Sequence, residues 1–127
     1  MQTQKEAALK RLEVMFRNLD TGMTRTKYFD MCEQLEQEPK ENEIPPDWED
    51  FPLVIQEAIN TFNSLGDRVY PEIGFVGKDY TNLRYFTELY QITDTEFFLE
   101  IISWLDSRAI KQSQQQLKRE HDKLKRK

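Results

Sequence analysis

Residues 51–66 read FPLVIQEAINTFNSLG, and their spacing decides the fold. Phe51, Ile55, Ala58, Ile59, Phe62 and Leu65 recur at three- and four-residue steps, which on a helix of about 3.6 residues per turn gathers them on one face. Pro52 occupies a first-turn position that tolerates a missing N–H, and Gly66 stands just past the helix end. Both ends of this helix are therefore marked, and its apolar face has to lie at the centre of a core.

On the N-terminal side two more helices are predicted. Ala8, Leu12, Met15, Phe16 and Leu19 form one stripe, supported by the pairs Glu6/Lys10 and Glu13/Arg17, and Gly22 ends it. Thr24 caps a second helix with Tyr28, Met31, Cys32 and Leu35 inside, and Pro39 stops it near Glu38 because the residue before a proline avoids helical geometry. Residues 33–50 then hold eight acids against one base, a net of −7. Pro45 and Pro46 make the middle of that stretch an extended connector, with Ile44 and Trp48 expected to anchor it. Glu41, Glu43, Glu49 and Asp50 form an acidic surface suited to basic partners.

On the C-terminal side the period changes. Val69-Tyr70 and Phe75-Val76 flank Pro71-Glu72-Ile73-Gly74, the composition of a small irregular hairpin between residues 66 and 80. A fourth helix over residues 81–90 presents Leu83, Phe86, Leu89 and Tyr90. Thr93 and Glu96 spell a capping box for a fifth helix that meets no breaker before the C-terminus, with Phe98, Ile101, Ile102, Leu105 and Ala109 inward and Trp104 beside them. The expected fold class is all-α: about five helices around the central third, a hairpin-like excursion at 66–80 and a long projecting C-terminal helix.

Residues 111–127 carry seven Lys or Arg against two acids, a net of +5, whereas the whole chain sums to −5, so residues 1–110 hold −10. In this tail the apolar residues thin to Ile110, Leu117 and Leu124, spaced by seven, half of a coiled-coil seam whose other half is polar. Ile110, Leu117 and Leu124, with Lys118, Arg119 and Lys123, are the candidate partner-binding residues. The tail lacks aromatic residues for base stacking and the body is acidic, so a protein partner is favoured over nucleic acid. The expected division is a helical domain over 1–110 and a basic helical tail over 111–127, whose removal should leave the melting temperature of the body unchanged.

Chemical signatures are sparse. Gly74-Phe-Val-Gly77-Lys78-Asp79 suggests a phosphate loop, but Glu72 stands where its first glycine belongs and Asp79 where a magnesium-binding hydroxyl belongs. It reads as a turn, with Lys78 and Asp79 as exposed contacts. Cys32, the single cysteine, reads as a buried thiol, and His121, the single histidine, as a solvated helix residue. Neither a catalytic residue set nor a metal or cofactor site is expected, and the sequence shows no export signal and no membrane span.

Lys27-Tyr28-Phe29-Asp30-Met31-Cys32-Glu33-Gln34-Leu35, Glu43-Ile44-Pro45, Asp50-Phe51-Pro52 and Gly77-Lys78-Asp79 resemble segments of short, mostly uncharacterised proteins of tailed bacteriophages, over roughly residues 23–107. The resemblance implies a phage origin. It also implies that Met23 corresponds to the usual start, with residues 1–22 an added helix, and it brings no site residues. The expected function is that of a non-enzymatic phage interaction protein, a virion structural subunit or an assembly chaperone or adaptor, docking a partner through its basic C-terminal helix. Its partner is another copy of itself or a virion component, and its location the host cytoplasm or the virion. The alternative is a regulator of transcription or host defence acting through the acidic 33–50 surface or by binding a polymerase.

Overall fold

A computed structural model describes residues 4–125. They form α1 (Gln4–Thr21), α2 (Arg25–Gln34), 3-10 turns at Glu41–Glu43 and Trp48–Asp50, α3 (Leu53–Ser64), β1 (Asp67–Tyr70), β2 (Gly74–Lys78), α4 (Leu83–Leu89) and α5 (Thr95–Lys125). The protein is mostly helical with a long C-terminal helix, and the excursion at 66–80 is an antiparallel two-stranded sheet, so the fold is helical with a hairpin rather than strictly all-α. The chain divides into two compact units, one ending at Pro52 and one beginning at Leu53.

In the first unit, α1 buries Ala8 and Leu12, while Leu19 at the end of the predicted stripe is exposed. Gly22, at φ 73°, closes α1: its N–H donates to Leu19 O and that of Met23 to Asn18 O. Thr24 caps α2 as expected, its hydroxyl accepting from the Lys27 amide at 3.1 Å. The second helix ends at Gln34, short of the limit set by Pro39. Glu36 adopts φ 54°, and the bonds Glu36 N–H to Glu33 O and Gln37 N–H to Cys32 O close the helix before proline acts. Of the expected inner face, Tyr28 and Cys32 are buried, whereas Met31 and Leu35 are exposed.

The acidic connector is fastened by polar bonds. Trp48 is 39% exposed and Ile44 half-buried, whereas Pro45 is buried. Arg25, on the first turn of α2, donates from Nε to the Pro45 carbonyl at 2.6 Å and pairs with Asp50 at 2.5 Å and Asp47 at 3.2 Å. One planar guanidinium thus takes the anchoring role expected of Trp48, because its fork of donors reaches a carbonyl and two carboxylates at once.

In the second unit, α3 packs on α5. Ile55, Ala58, Ile59 and Leu65 are buried with Phe97, Phe98, Ile101, Ile102 and Leu105, which makes the 51–66 stretch core as its spacing predicts. Thr61 is also buried there, its hydroxyl satisfied by the Glu57 carbonyl at 2.8 Å. The cap of α5 is Asp94 rather than Thr93: its carboxylate accepts from the Phe97 amide at 3.1 Å, and the helix starts one residue later than the Thr93/Glu96 box predicts. Aspartate is as good an N-cap as threonine, so local preference does not choose between adjacent candidates. At 31 residues, α5 is about 46 Å long and runs unbroken through residues 110 and 111.

Candidate functional site

The distal half of α5 carries two different faces. Toward the hairpin, a Cβ on Gly74 would lie 3.0 Å from Leu117 Cδ1 and 3.1 Å from Ser113 Oγ, and one on Gly77 would lie 3.3 Å from Asp106 Oδ2 and 3.7 Å from Ile110 Cδ1. The strand reaches the helix this closely because both residues are glycine. Residues 74 and 77 would point to opposite faces of a regular strand. Register slips between Arg68, opposite Gly77, and Val69, opposite Phe75, so Val76 is an extra residue, and the bulge turns both glycines toward α5. Ser113 accepts from the Phe75 amide at 3.2 Å. Ile110 and Leu117 are consequently half-buried beside β2, and of the three heptad-spaced residues Leu124 alone, 68% exposed, has no share in the hairpin packing described.

The other face is cationic. Lys111, Lys118 and Lys125 form one row at seven-residue steps, flanked by Arg119 and Lys123, and all five are exposed. At about 100° per residue the lysine row lies roughly 100° around the helix from the Ile110–Leu117–Leu124 line, with Arg119 about 160° and Lys123 about 120° from it, and Asp122 is the one acid within this arc. None of the five has an ion-pair partner among the described residues. Every described residue from Lys118 to Lys125 is exposed, while Arg126 and Lys127, also part of the basic tail, lie outside the described residues.

A buried polar clasp joins the hairpin to α5. Asp106, 7% exposed, accepts from the Lys78 amide at 3.1 and 3.3 Å and from the Tyr80 hydroxyl. Lys78 itself is 8% exposed, against the expectation of an exposed contact: its ammonium pairs with Asp67 at 2.6 Å, donates to Leu65 O at 3.2 Å and lies 4.7 Å from the centre of the Phe62 ring. Burial, then the neighbouring Asp106 carboxylate, raises the Tyr80 phenol far above its ordinary value and keeps it a donor. Asp79 stays exposed, its carboxylate held below the usual range by the Thr81 hydroxyl and amide. Sequence reading missed Asp106, Tyr80 and Arg25. The available signal was Asp106 itself, a charge beside the apolar stripe of a helix.

The acidic surface has two kinds of members. Asp50 is a fastening group: the Asp47 amide at 2.9 Å, with Arg25 and Arg11, holds its carboxyl below the ordinary range. Glu43 faces the Tyr28 hydroxyl at 3.3 Å. Glu41 and Glu49 are exposed, and neither they nor Glu33, Glu36 and Glu38 have an ion-pair partner among the described residues. The acidic stretch is therefore partly neutralised by α1 and α2 and partly open.

Each unit also has a groove. One of about 510 Å³ in the first unit runs beside Lys10, Arg11, Val14 and Arg17 of α1 and Glu43 and Ile44 of the connector. One of about 430 Å³ in the second unit is bordered by Phe62, Asp67, Phe75, Lys78, Gln112 and Gln116. Its charged members already pair with each other. Gly74 and Gly77 have the positive φ expected of them, 84° and 128°, but they lie in the bulged strand β2 rather than in the turn that the failed phosphate-loop pattern suggests. Cys32 is a buried free thiol and His121 is exposed. Among the described residues, no group of three or more His, Cys, Asp or Glu is placed to hold a metal ion, and no helix is long and apolar enough to cross a membrane. No protein-family model, curated protein or solved structure matches this chain.

Proposed function

We propose that this protein is a non-enzymatic interaction protein of a bacteriophage, a virion structural subunit or an assembly adaptor, which docks a protein partner through the distal part of α5. One observation carries the reading: from Lys118 to Lys125 the helix is exposed on every side and cationic along one face. A segment this polar on every side buries no face in its own chain, which leaves its side chains available to a partner. The phage assignment is supported by the resemblance over residues 23–107. Because Ile110 and Leu117 already meet β2, the partner contacts Leu124 at the tip and the row Lys111, Lys118 and Lys125 with Arg119 and Lys123.

The test is capture from infected cells by the full chain and by a chain lacking residues 118–127, read by mass spectrometry. The full chain enriches a virion component and the shortened one does not, at equal thermal stability. Equal enrichment by both would sink the reading.

A further inference from the structure

We infer that the cationic face of α5 docks on the acidic 33–50 surface of a second copy of this chain, an inference that rests on the docking role proposed for the tail. The two surfaces match in sign. Lys111, Lys118, Arg119, Lys123 and Lys125 are exposed without an ion-pair partner among the described residues, and so are Glu33, Glu36, Glu38, Glu41 and Glu49. Five open cations face five open carboxylates. Of the other acids, Asp47 and Asp50 are taken by Arg25, Asp67 by Lys78 and Glu88 by Arg84, while Glu13, Asp30, Glu72, Glu96 and Glu100 lie outside both surfaces.

The spacing suits an ion-pair network more than a single bridge. Lys111, Lys118 and Lys125 are about 10 Å apart along the helix, and Arg119 sits about 6 Å from Lys123 along the axis, so several carboxylates on an irregular connector can be met along one side. An isolated exposed pair contributes little, whereas charges repeated over an interface steer encounter and fix register. Leu124 adds one apolar contact at the tip. A tail-to-acidic-surface contact joins unlike patches, so each copy keeps a free donor and a free acceptor surface unless two copies close reciprocally, and association grows with concentration in either case.

Sedimentation equilibrium of the full chain tests this. At low ionic strength the weight-average mass rises with concentration, and in half-molar salt it returns to that of the monomer. A tail-reversed chain (Lys118→Glu, Arg119→Glu, Lys123→Glu) and a surface-reversed chain (Glu38→Lys, Glu41→Lys, Glu49→Lys) each associate at least about tenfold more weakly, a loss of about 1.4 kcal/mol. Mixed in equal amounts, the two regain association, because each tail now meets a surface of opposite charge. A control with Glu13→Lys, Asp30→Lys and Glu100→Lys has the net charge of the surface-reversed chain but keeps both surfaces, and it associates more strongly than the surface-reversed chain. A mass that stays monomeric at every concentration, or a control that associates as weakly as the surface-reversed chain, overturns the inference. So does a monomer that instead binds duplex DNA with a steep salt dependence, which would assign the face to phosphates. None of these outcomes touches capture of a virion component by residues 118–127, so failure of self-association and failure of the docking role are separable.

Discussion

The amide of Lys78, the last residue of β2, donates to both carboxylate oxygens of Asp106 on α5, at 3.1 and 3.3 Å, where the two residues are 8% and 7% exposed. Together with the Tyr80 hydroxyl on the same carboxylate, this pins the end of the hairpin to the helix. Asp106→Ala leaves a buried amide and a phenol without their acceptor and is expected to cost about 2 to 4 kcal/mol. Asp106→Asn keeps one acceptor and costs about half as much. Urea denaturation at neutral pH measures both, and equal stability of the alanine variant and the wild type would show that the clasp is dispensable.

Substituting the glycines of β2 separates backbone conformation from space. Gly74→Ala and Gly77→Ala each meet a positive φ and a neighbour near 3 Å, so each should lose about 1 to 3 kcal/mol. Gly66→Ala meets nothing within 4 Å and is expected to be neutral or to gain up to about 1 kcal/mol. Thermal melting of the three variants should rank Gly66→Ala highest.

Glu36, Glu72 and Gln91 adopt φ of 54°, 71° and 52°, conformations in which a Cβ is strained. Glu36 and Gln91 close α2 and α4 with the same pair of backbone bonds that Gly22 makes after α1, and Glu72 sits at the turn between Tyr70 and Ile73. Replacement by glycine relieves about 1 to 2 kcal/mol of strain and restores part of the unfolded-state entropy, for a net gain of about 0.5 to 1 kcal/mol each. The three substitutions are far enough apart in the chain to be combined, and an additive rise in denaturation midpoint is expected.

Asp50 sets part of the acid sensitivity of the first unit. Its folded-state pKa lies below the ordinary aspartate value of 3.8, so between the two values the unfolded chain binds more protons than the folded one. Stability from this carboxylate is therefore complete above the ordinary value and is lost as pH falls through the lowered one. Asp50→Asn should flatten the loss of stability below about pH 4, measured by denaturant titration at a series of pH values. A slope identical to that of the wild type would place the acid response elsewhere.

Two truncations distinguish the folded part of α5 from its docking part. Removing residues 118–127 deletes side chains that are exposed throughout the described range and should leave the melting temperature unchanged. Removing 111–127 also takes Ser113 from the Phe75 amide and Leu117 from Gly74, and should cost about 1 to 3 kcal/mol. Calorimetry on the pair decides where the structural role of the helix ends.

What local chemistry specifies was legible in the chain itself. The helical period of 51–66, the Gly22 exit, the Thr24 cap, the turn residues at 71–74 and the absence of a breaker after Thr95 each act within a few residues, and each element appears in the structure. Where several local signals compete, the sequence leaves the choice open: Asp94 and Thr93 are both good caps, and a glutamate can take the left-handed position that ends α2 before proline does.

Tertiary structure decided what depends on residues distant in the chain. Ile110 and Leu117 read equally well as a seam for a partner or as a floor for the hairpin, because heptad spacing fixes a face and not its occupant. The occupant is β2, brought there by a bulge at Val76 and two glycines. In the same way Lys78 reads as a surface charge until Asp67, Leu65 O and Phe62 surround it, and Arg25 as a helix residue until it meets Pro45, Asp47 and Asp50. By itself the sequence determined the elements and the opposed charges of tail and connector. The fold determined which side chains are taken up inside, and so left the cationic face of α5 and the open glutamates of residues 33–49 on the surface.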